Sequence, residues 1–504
     1  MFPVPLCEAL SHLHSDAPEH SWKITKKTIE QSLKLSSNGI HEIFSYFDPN
    51  PIASGSVAQV HRATLKGSNE MVAVKVRHPQ VASMIAKDFW IMTKFAALLP
   101  FKDVQKSVEQ FSHTMAAQAH LQVEAQHLEV LNYNFRDWKH ISFPRPIFAS
   151  PSIIIETFER GHICSDYITA YERDADSTVS SGHKMPSMLQ KFIVASGTSL
   201  YLKMLLVDNM MHADLHPGNI MLDIGFYNGN PDDGILLHPG RNNPLIKSSS
   251  ATSLVTAARG GQDLQLVEVE NEEKEQISDD HRGGTMQPLQ DGGYFHGRIT
   301  LVDAGMVAIL DPTESTNFIK LLASLGEADA ITAANCMLQF TSPQTQEEID
   351  KWYTHPDGIV TSLNPEERNA FTADVKKLFE KKCGGYGTNV DVGEVLRGML
   401  EIIKCHRLRI DANYATLVVN ALCIEGLARR VCPSYNVLDG CKPLLKSHSY
   451  YLSMRYAEQK DGDSHNPQNL LRCLKLTVSL KANTCHAQKL RQGKPTLDKH
   501  ISDS

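Results

Sequence analysis

The apolar run MVAVKVRHP, which begins at residue 71, places Lys75 among valines. Together with the preceding segment SGSVAQVHRATLKGSNE, it predicts two adjacent antiparallel strands joined by a polar turn. A lysine in the middle of an apolar strand is costly to bury unless its ammonium faces a cleft and meets a negative charge. Lys75 would suit the α- and β-phosphates of a nucleotide, and a strand-edge lysine that extends to water is the plainer alternative.

A loop of small residues stands upstream of this lysine, in the segment PIASGSVAQVH. Protein kinases carry their glycine-rich phosphate loop at this place, where small residues let backbone amides approach phosphate. The loop residues are Ala53, Ser54, Gly55, Ser56 and Val57. The segment does not match GxGxxG, and Gly55 alone is a weak signal.

The stretch MHADLHPGNIMLD has the spacing HxDxxxxN of a kinase catalytic loop. In this interpretation Asp214 accepts a proton from the attacking hydroxyl or orients it. Asn219 helps to hold a magnesium ion, and His212 braces the loop. A capped turn is the alternative, because aspartate, proline, glycine and asparagine all favour turns.

A zinc site is a second alternative for the same stretch, because His212 and His216 are four residues apart. The sequence disfavours it, since no glutamate follows the first histidine and Pro217-Gly218 would end a helix at once. His216 is better interpreted as standing where a lysine often follows the catalytic aspartate.

The segment ITLVDAGMV predicts an apolar strand that ends in Asp-x-Gly. Asp303 stands where the kinase DFG aspartate binds magnesium, with Ala304 in place of the phenylalanine. A strand followed by an ordinary turn is the alternative. The small-residue loop, VAVK, HxDxxxxN and DxG nevertheless occur in kinase order, and together they predict a kinase-like nucleotide site.

Such a site requires a glutamate that pairs with the lysine. Glu124, in the predicted helix LQVEAQHLEVLNYNF, is the preferred candidate, and Glu109 and Glu129 compete with it. A glutamate on a helix more often lies on a solvated face.

The composition narrows the class of protein. The 504 residues are 42% hydrophobic and 21% charged, which fits a globular chain of two or three domain-sized units. A formal charge of -7 gives no reason to expect a nucleic-acid partner. Ten cysteines without a CxxC pair indicate reduced thiols. The most apolar run, FWIMTKFAALLP, is too short to span a membrane and predicts a buried amphipathic helix.

The chain is expected to divide into four parts. Residues 1–46 form a helical extension, 47–160 a small lobe with β-structure, 161–444 a mainly helical lobe, and 445–504 a polar, basic tail. Residues 224–297 are rich in Gly, Asp, Asn and Ser and are expected to be a mobile insertion. Because the first residues look like the middle of a helical region without a targeting signal, we expect the chain to begin inside a longer parent sequence.

These motifs resemble those of the aarF/UbiB family, a group of atypical, protein-kinase-like proteins linked to coenzyme Q biosynthesis. Family members carry an alanine-rich loop followed by QVH, the motifs VAVKVRHP and FHADPHPGN, an EAxNxxxF helix and a closing helix with an EG…R signature. The corresponding segments here are IASGSVAQVHRA, VAVKVRHP, MHADLHPGN, EAQHLEVLNYNF and LVVNALCIEGLARRVCPSYNV. The insertion and VDAGMV are most similar to a mitochondrial branch of the family.

The resemblance implies an α+β, bilobal protein-kinase-like fold with a small β-containing lobe, extra N-terminal helices and a mainly helical second lobe. It implies ATP or ADP with Mg²⁺, and ATPase or small-molecule kinase chemistry. By the same resemblance Lys75 is the nucleotide lysine, Glu124 its partner and Asp214 the catalytic aspartate. Asn219 and Asp303 are then the magnesium ligands.

The resemblance also implies a setting in the cell. It points to mitochondria, to peripheral contact with the inner membrane, and to partners that are lipid-like precursors of coenzyme Q or coenzyme Q biosynthetic proteins. We expect the targeting segment to belong to the parent protein and not to these residues, so the mitochondrial expectation rests on the parent protein.

Three departures from the family pattern bear on activity. The KxGQ motif, which helps to occlude the site, is absent. The ExD pair reads Gln118-Ala119-His120, which removes two carboxylates. Gly55 interrupts the alanine-rich loop and could change nucleotide preference.

Three hypotheses follow. The chain is an ATP-dependent phosphotransferase or ATPase that acts on, or is stimulated by, a lipid-like molecule. Alternatively it is a pseudokinase, a nucleotide-gated scaffold for lipids or biosynthetic proteins. The third hypothesis is a shortened, poorly folded form without its N-terminal packing.

Overall fold

The structure, a computed structural model, describes residues 19–36, 39–98, 119–175, 187–227, 294–341 and 352–446, with the short stretches 235–237, 266–267 and 285–288 and the single residues 108, 112, 116 and 185. The chain divides into two compact units. The first comprises Met1–Ser196 and His212–Ala308, and the second comprises Gly197–Met211 and Ile309–Ser504.

A six-stranded antiparallel sheet forms one layer of the first unit. Its strands are β1 (Phe44–Phe47), β2 (Ala53–Ser54), β3 (Ala58–Leu65), β4 (Met71–Arg77), β6 (Pro146–Ala149) and β7 (Ile153–Thr157), in the order β1-β3-β4-β7-β6 with β2 beside β3. The hairpin predicted around the polar turn is therefore confirmed, with Val60 opposite Lys75.

Alternation along β4 explains how this sheet is built. Val72, Val74 and Val76 are fully buried and pack with Ile153 and Ile155 of β7 in one apolar cluster. Successive side chains on a strand point to opposite faces, so Lys75 lies on the other face of the sheet.

Three helices belong to this part of the first unit. They are α1 (Trp22–Leu33), α2 (Val81–Leu98) and α3 (Leu121–Phe135). Ile29 of α1 joins the apolar cluster beneath the sheet. Leu121, Leu128 and Phe135 are buried along α3 at seven-residue spacing, which is the pattern of a helix with one packed face.

The expectation of a buried helix at residues 89–100 is wrong for the part that the structure describes. A helix is present, but only Phe89 and Ala96 are buried within α2. Trp90 is 64% exposed, Phe95 67% and Leu98 82%. Helical periodicity predicts the element and does not show whether another part of the chain covers its apolar face.

A second sheet in the first unit is built on the long antiparallel pair of β10 (Ile220–Tyr227) and β14 (Tyr294–Leu301). Its other strands are β5 (Ile141–Ser142), β8 (His162–Ile163), β11 (Ile235–Leu237), β12 (Leu266–Val267) and β13 (Thr285–Pro288). The expected insertion, 224–297, thus contributes strand residues at both ends and three short strands between them. Its remaining residues lie outside the described part of the chain.

Two helices and a short pair of strands lead to and from the motifs of interest. The helices are α4 (Cys164–Ala175) and α5 (Ser187–Lys203), and a π-helical turn, Met204–Asp208, follows α5. The buried pair of Lys203 and Asp208, 2.7 Å apart, spans this turn. Strands β9 (Met210–His212) and β15 (Val307–Ile309) then pair with each other.

The second unit is mainly helical in its described residues. It contains α6 (Pro312–Glu327), α7 (Ala330–Leu338), α8 (Pro365–Lys382), α9 (Val392–Cys405), α10 (Ala412–Val431) and the short strands β16 (Tyr353–Thr354) and β17 (Val360–Thr361). Asp311 and Asn364 begin α6 and α8 with capping boxes followed by proline, which fixes where these helices start.

The expected fold class is confirmed: the chain combines an antiparallel, β-containing part with a mainly helical part, as a kinase-like domain does. The expected polar tail lies outside the described residues except for 445 and 446, as do residues 1–18 of the N-terminal extension. Among the described residues, no helix combines the length and the apolar character that crossing a lipid bilayer requires.

Candidate functional site

Lys75 and Glu124 form a buried ion pair in the first unit. The Nζ atom of Lys75 lies 2.5 Å from Oε1 of Glu124, and both side chains are largely buried. Glu124 lies in the first turn of α3, on the same packed face as Leu121 and Leu128. Glu124, the residue expected to pair with Lys75, therefore does contact it.

A second carboxylate, which the sequence analysis did not single out, also reaches Lys75. Oε1 of Glu156 lies 3.2 Å from Lys75 Nζ, and Glu156 is 2% exposed. Glu156 lies on β7 opposite Ala73 of β4, on the face of the sheet that carries the lysine. A charged residue within an apolar strand is costly to bury, and this is the signal that singles out Lys75. The same signal is present at Glu156 in the segment IIIET.

The electrostatics of this cluster follow from burial and charge. Burial alone would lower the pKa of Lys75, but Glu124 and Glu156 outweigh that effect and raise it, so the lysine stays charged. Burial raises the pKa of Glu156 to about 8, against the opposing effect of Lys75. Burial also raises the pKa of Glu124, while Lys75 opposes the shift.

The HxDxxxxN stretch folds as a compact loop between β9 and β10. His212 is buried, its Nε2–H donates to the carbonyl of Asp303, and its Nδ1 accepts from the backbone N–H of Asp214 at 3.2 Å. The Nδ2 amide of Asn219 donates to the Asp214 carbonyl at 3.0 Å. His212 therefore fixes the catalytic-loop motif against the DxG turn, as a bracing residue would.

The Asp214 carboxylate remains half-exposed and ionised. His216 Nε2 lies 3.6 Å from Asp214 Oδ2. This contact is the main cause that lowers the pKa of Asp214 and raises the pKa of His216. The Asn219 amide, 3.4 Å from the same oxygen, contributes in the same direction to Asp214. An aspartate held in this way can accept a hydrogen bond from a substrate hydroxyl.

The DxG turn follows β14 and lies beside the same loop. Oδ1 of Asp303 accepts from the Gly305 N–H at 2.7 Å, which leaves the carboxylate's other oxygen for a ligand. The backbone N–H of Val302 donates to the Asn219 carbonyl at 3.1 Å, so the backbone segments that carry the two expected metal ligands are hydrogen-bonded to each other. Lys75 Nζ lies 2.8 Å from the Val302 carbonyl, which brings the lysine to the same turn.

Asn219 and Asp303 fit a magnesium ion in their chemistry. Both offer hard oxygen atoms, and Mg²⁺ in nucleotide sites is held by one or two such residues together with phosphate oxygens and water. In the part of the chain that the structure describes, no three His, Cys, Asp or Glu side chains are grouped so as to hold a metal ion by themselves. These two residues would therefore need the oxygens of a nucleotide and water to complete the metal's coordination.

The small-residue loop is held by a histidine that the sequence analysis did not single out. His78, just after β4, donates from Nε2 to the Gly55 carbonyl at 2.9 Å, and its backbone N–H donates to the Val57 carbonyl at 2.9 Å. The hydroxyl of Ser54 is buried without a hydrogen-bond partner. The loop thus has a fixed backbone and one polar group that is still unsatisfied.

The histidine that holds the loop is itself held from the N-terminal side. Because His78 Nε2 carries a hydrogen, its Nδ1 accepts, and it does so from His20 Nδ1 at 2.8 Å. His20 Nε2 then accepts from the Thr25 hydroxyl at 3.0 Å. Burial, with the nearby rings of His78 and His61, lowers the pKa of His20 to about 4. Residues at the start of α1 are thereby connected to the loop.

Comparison with known proteins identifies an atypical kinase-like domain in this chain. A profile of the ABC1 atypical kinase-like domain matches residues 12–230. The probable serine/threonine-protein kinase abkC of Dictyostelium discoideum is 28% identical over 90% of this chain and 62% of its own length. An ABC1 family protein of Saccharomyces cerevisiae, labelled mitochondrial, is 26% identical over 89% of this chain and 64% of its own.

A bacterial relative matches less than half of the chain. A probable UbiB protein kinase of Histophilus somni is 28% identical over 44% of this chain and 40% of its own length. The chain spans less than two thirds of the length of each of these three relatives.

Proposed function

We propose that this chain, which belongs to the aarF/UbiB (ABC1) family of atypical kinases, binds a magnesium–nucleotide and transfers or hydrolyses its terminal phosphate. One observation carries the proposal. The buried pair of Lys75 and Glu124, the loop of Asp214 and Asn219, and the turn of Asp303 are tied together by hydrogen bonds within one compact unit.

Each part has a distinct task in this proposal. The ammonium of Lys75 binds phosphate oxygens, and Glu124 holds that ammonium in place. The ionised carboxylate of Asp214 orients an attacking hydroxyl or water and accepts its proton. Asn219 and Asp303 would hold Mg²⁺, which supplies positive charge against the phosphates. The loop of residues 53–57 presents backbone amides to the phosphates.

The biological setting is proposed from the family and from the relatives. Two of the similar fungal proteins are labelled mitochondrial. We propose a mitochondrial role that supports coenzyme Q biosynthesis or lipid metabolism, with a lipid-like precursor or a biosynthetic protein as partner. Contact with a membrane would be peripheral.

Turnover can be tested directly. Purified protein should hydrolyse or transfer phosphate from ATP in the presence of Mg²⁺, and Asp214→Asn should reduce the rate constant at least a hundredfold while nucleotide binding persists. Asp374→Asn is a matched control, because Asp374 is a half-exposed aspartate on α8 of the second unit. Equal turnover by Asp214→Asn and wild type would refute the assigned role of Asp214.

A nucleotide-gated scaffold without turnover is the second candidate. Two observations favour it: the family's ExD carboxylates are replaced at Gln118 and His120, and all three N–H donors of Lys75 have acceptors within the protein. Nucleotide binding with no turnover under any substrate condition would select this candidate.

A further inference from the structure

The ammonium of Lys75 is already saturated by the protein. An ammonium has three N–H donors. The three acceptors around it are Glu124 Oε1 at 2.5 Å, the Val302 carbonyl at 2.8 Å and Glu156 Oε1 at 3.2 Å. A phosphate oxygen can therefore bind Lys75 only if one of these acceptors gives way.

Glu156 is the acceptor with the least support from other groups. The backbone of Ala304, together with Lys75, favours the ionised form of Glu124 and lowers its pKa against the effect of burial. Glu156 Oε2 is buried and has no hydrogen-bond partner. Of the three contacts to the ammonium, that of Glu156 is also the longest.

The charges around Glu156 are unbalanced. Among the residues that the structure describes, Lys75 on β4 is the cation that acts on Glu156, while Glu124 on α3 and Asp303 after β14 are both acidic. A nucleotide phosphate would bring further negative charge to a cluster that is already acidic. Protonation of Glu156 would relieve this repulsion. Glu156 is the carboxylate that can take up a proton without losing another contact.

We propose that Glu156 competes with nucleotide phosphate for Lys75 and thereby sets the nucleotide affinity of the site. The inference rests on the proposed nucleotide site and adds a residue that opposes ligand binding. When Glu156 is ionised it holds the ammonium strongly, and when it is protonated it releases the ammonium to phosphate.

This competition has a defined direction with pH. Burial raises the pKa of Glu156 to about 8, so the carboxylate gains its charge as the pH rises through that value. Phosphate binding favours the protonated form, and the nucleotide should therefore bind with uptake of a proton from water. Nucleotide affinity should fall above pH 8 in the wild type.

The test compares the dissociation constants of Mg-ADP for wild type and Glu156→Gln by calorimetry at pH 6.5 and pH 9. Glutamine keeps the shape and removes the charge. The variant should bind like wild type at pH 6.5 and about tenfold more tightly at pH 9, since a hydrogen bond to a charged group contributes that much or more. The ratio of the two constants cancels any titration of the nucleotide itself.

Two further variants separate this role from a general structural effect. Glu70→Gln, at an exposed ion pair with Arg145, should leave the ratio near one at both pH values. Glu156→Leu removes the charge without the polar group and should also bind more tightly at pH 9, provided that its unfolding transition stays cooperative.

The outcomes are distinguishable. Tighter binding by Glu156→Gln that grows with pH supports the inference. A wild type that binds Mg-ADP, with a variant that binds equally or more weakly at pH 9, overturns it while the proposed site stands. Absence of binding by both proteins at both pH values overturns the site and the inference together.

Discussion

The ring of His127 donates a hydrogen bond from Nδ1 to the carbonyl of Ala304, 2.8 Å away. His127 lies one turn after Glu124 on α3. The helix that holds the lysine's partner therefore also holds the turn that presents Asp303. The motif EAxNxxxF, which this helix resembles, has an asparagine at the place of His127.

This relationship predicts the effect of changing His127. His127→Ala should weaken Mg-nucleotide binding about fivefold, because one hydrogen bond of about 1 kcal/mol no longer fixes the Ala304 carbonyl. His127→Asn keeps a side-chain N–H donor and should recover most of the affinity. Calorimetric titration of both variants checks this, and equal affinities for Ala and Asn would contradict a positioning role.

Acid should destabilise the protein through His20. Its pKa is lowered to about 4 by burial and by the nearby rings of His78 and His61, while in the unfolded chain it is near 6.5. Between these values the unfolded state binds more protons, so stability falls as the pH drops from 6.5 to 4. His20→Gln should make the free energy of unfolding less dependent on pH in this window, as measured by urea denaturation at pH 4.5 and 7. An unchanged slope would show that His20 is solvated.

Removal of the buried lysine should be costly, and more so at alkaline pH. Lys75→Met leaves Glu124 and Glu156 buried without their cation, and breaking such a pair costs about 3–5 kcal/mol. The two carboxylates can then remain buried only as protonated acids, so the loss in unfolding free energy should be larger at pH 8 than at pH 5.

The matched control for this change is Lys377→Met. The Lys377 side chain is 76% exposed and pairs with an exposed aspartate, so its removal should alter stability by less than about 1 kcal/mol. A pH-independent loss in Lys75→Met would mean that water reaches the carboxylates in the folded protein.

Sequence reasoning located those parts of the site whose residue types are unusual in their local setting. A lysine in a valine strand, and an aspartate and asparagine at fixed spacing, can be recognised because burial of a charge or a turn has a local cost. Lys75, Glu124 and Asp303 lie together as the motif order predicts.

The supporting residues depend on contacts between distant segments. His78 holds a loop that precedes β3, His127 holds a turn far along the chain, and His20 reaches His78 across the start of α1. A histidine in a sequence gives no sign of which carbonyl it will meet. The exposure of α2 was missed for a related reason, because an apolar helix face does not specify what covers it.

Nucleotide-dependent stabilisation tests the central claim most directly. The unfolding temperature of the wild type should rise with Mg-ATP or Mg-ADP. The corresponding gain in unfolding free energy is about 2.7 kcal/mol at a ligand concentration 100 times the dissociation constant. Asp303→Asn should lose the magnesium-dependent part of the shift, and the Asp374→Asn control should keep it. A cooperatively folded wild type whose unfolding temperature is unchanged by either nucleotide would contradict the account.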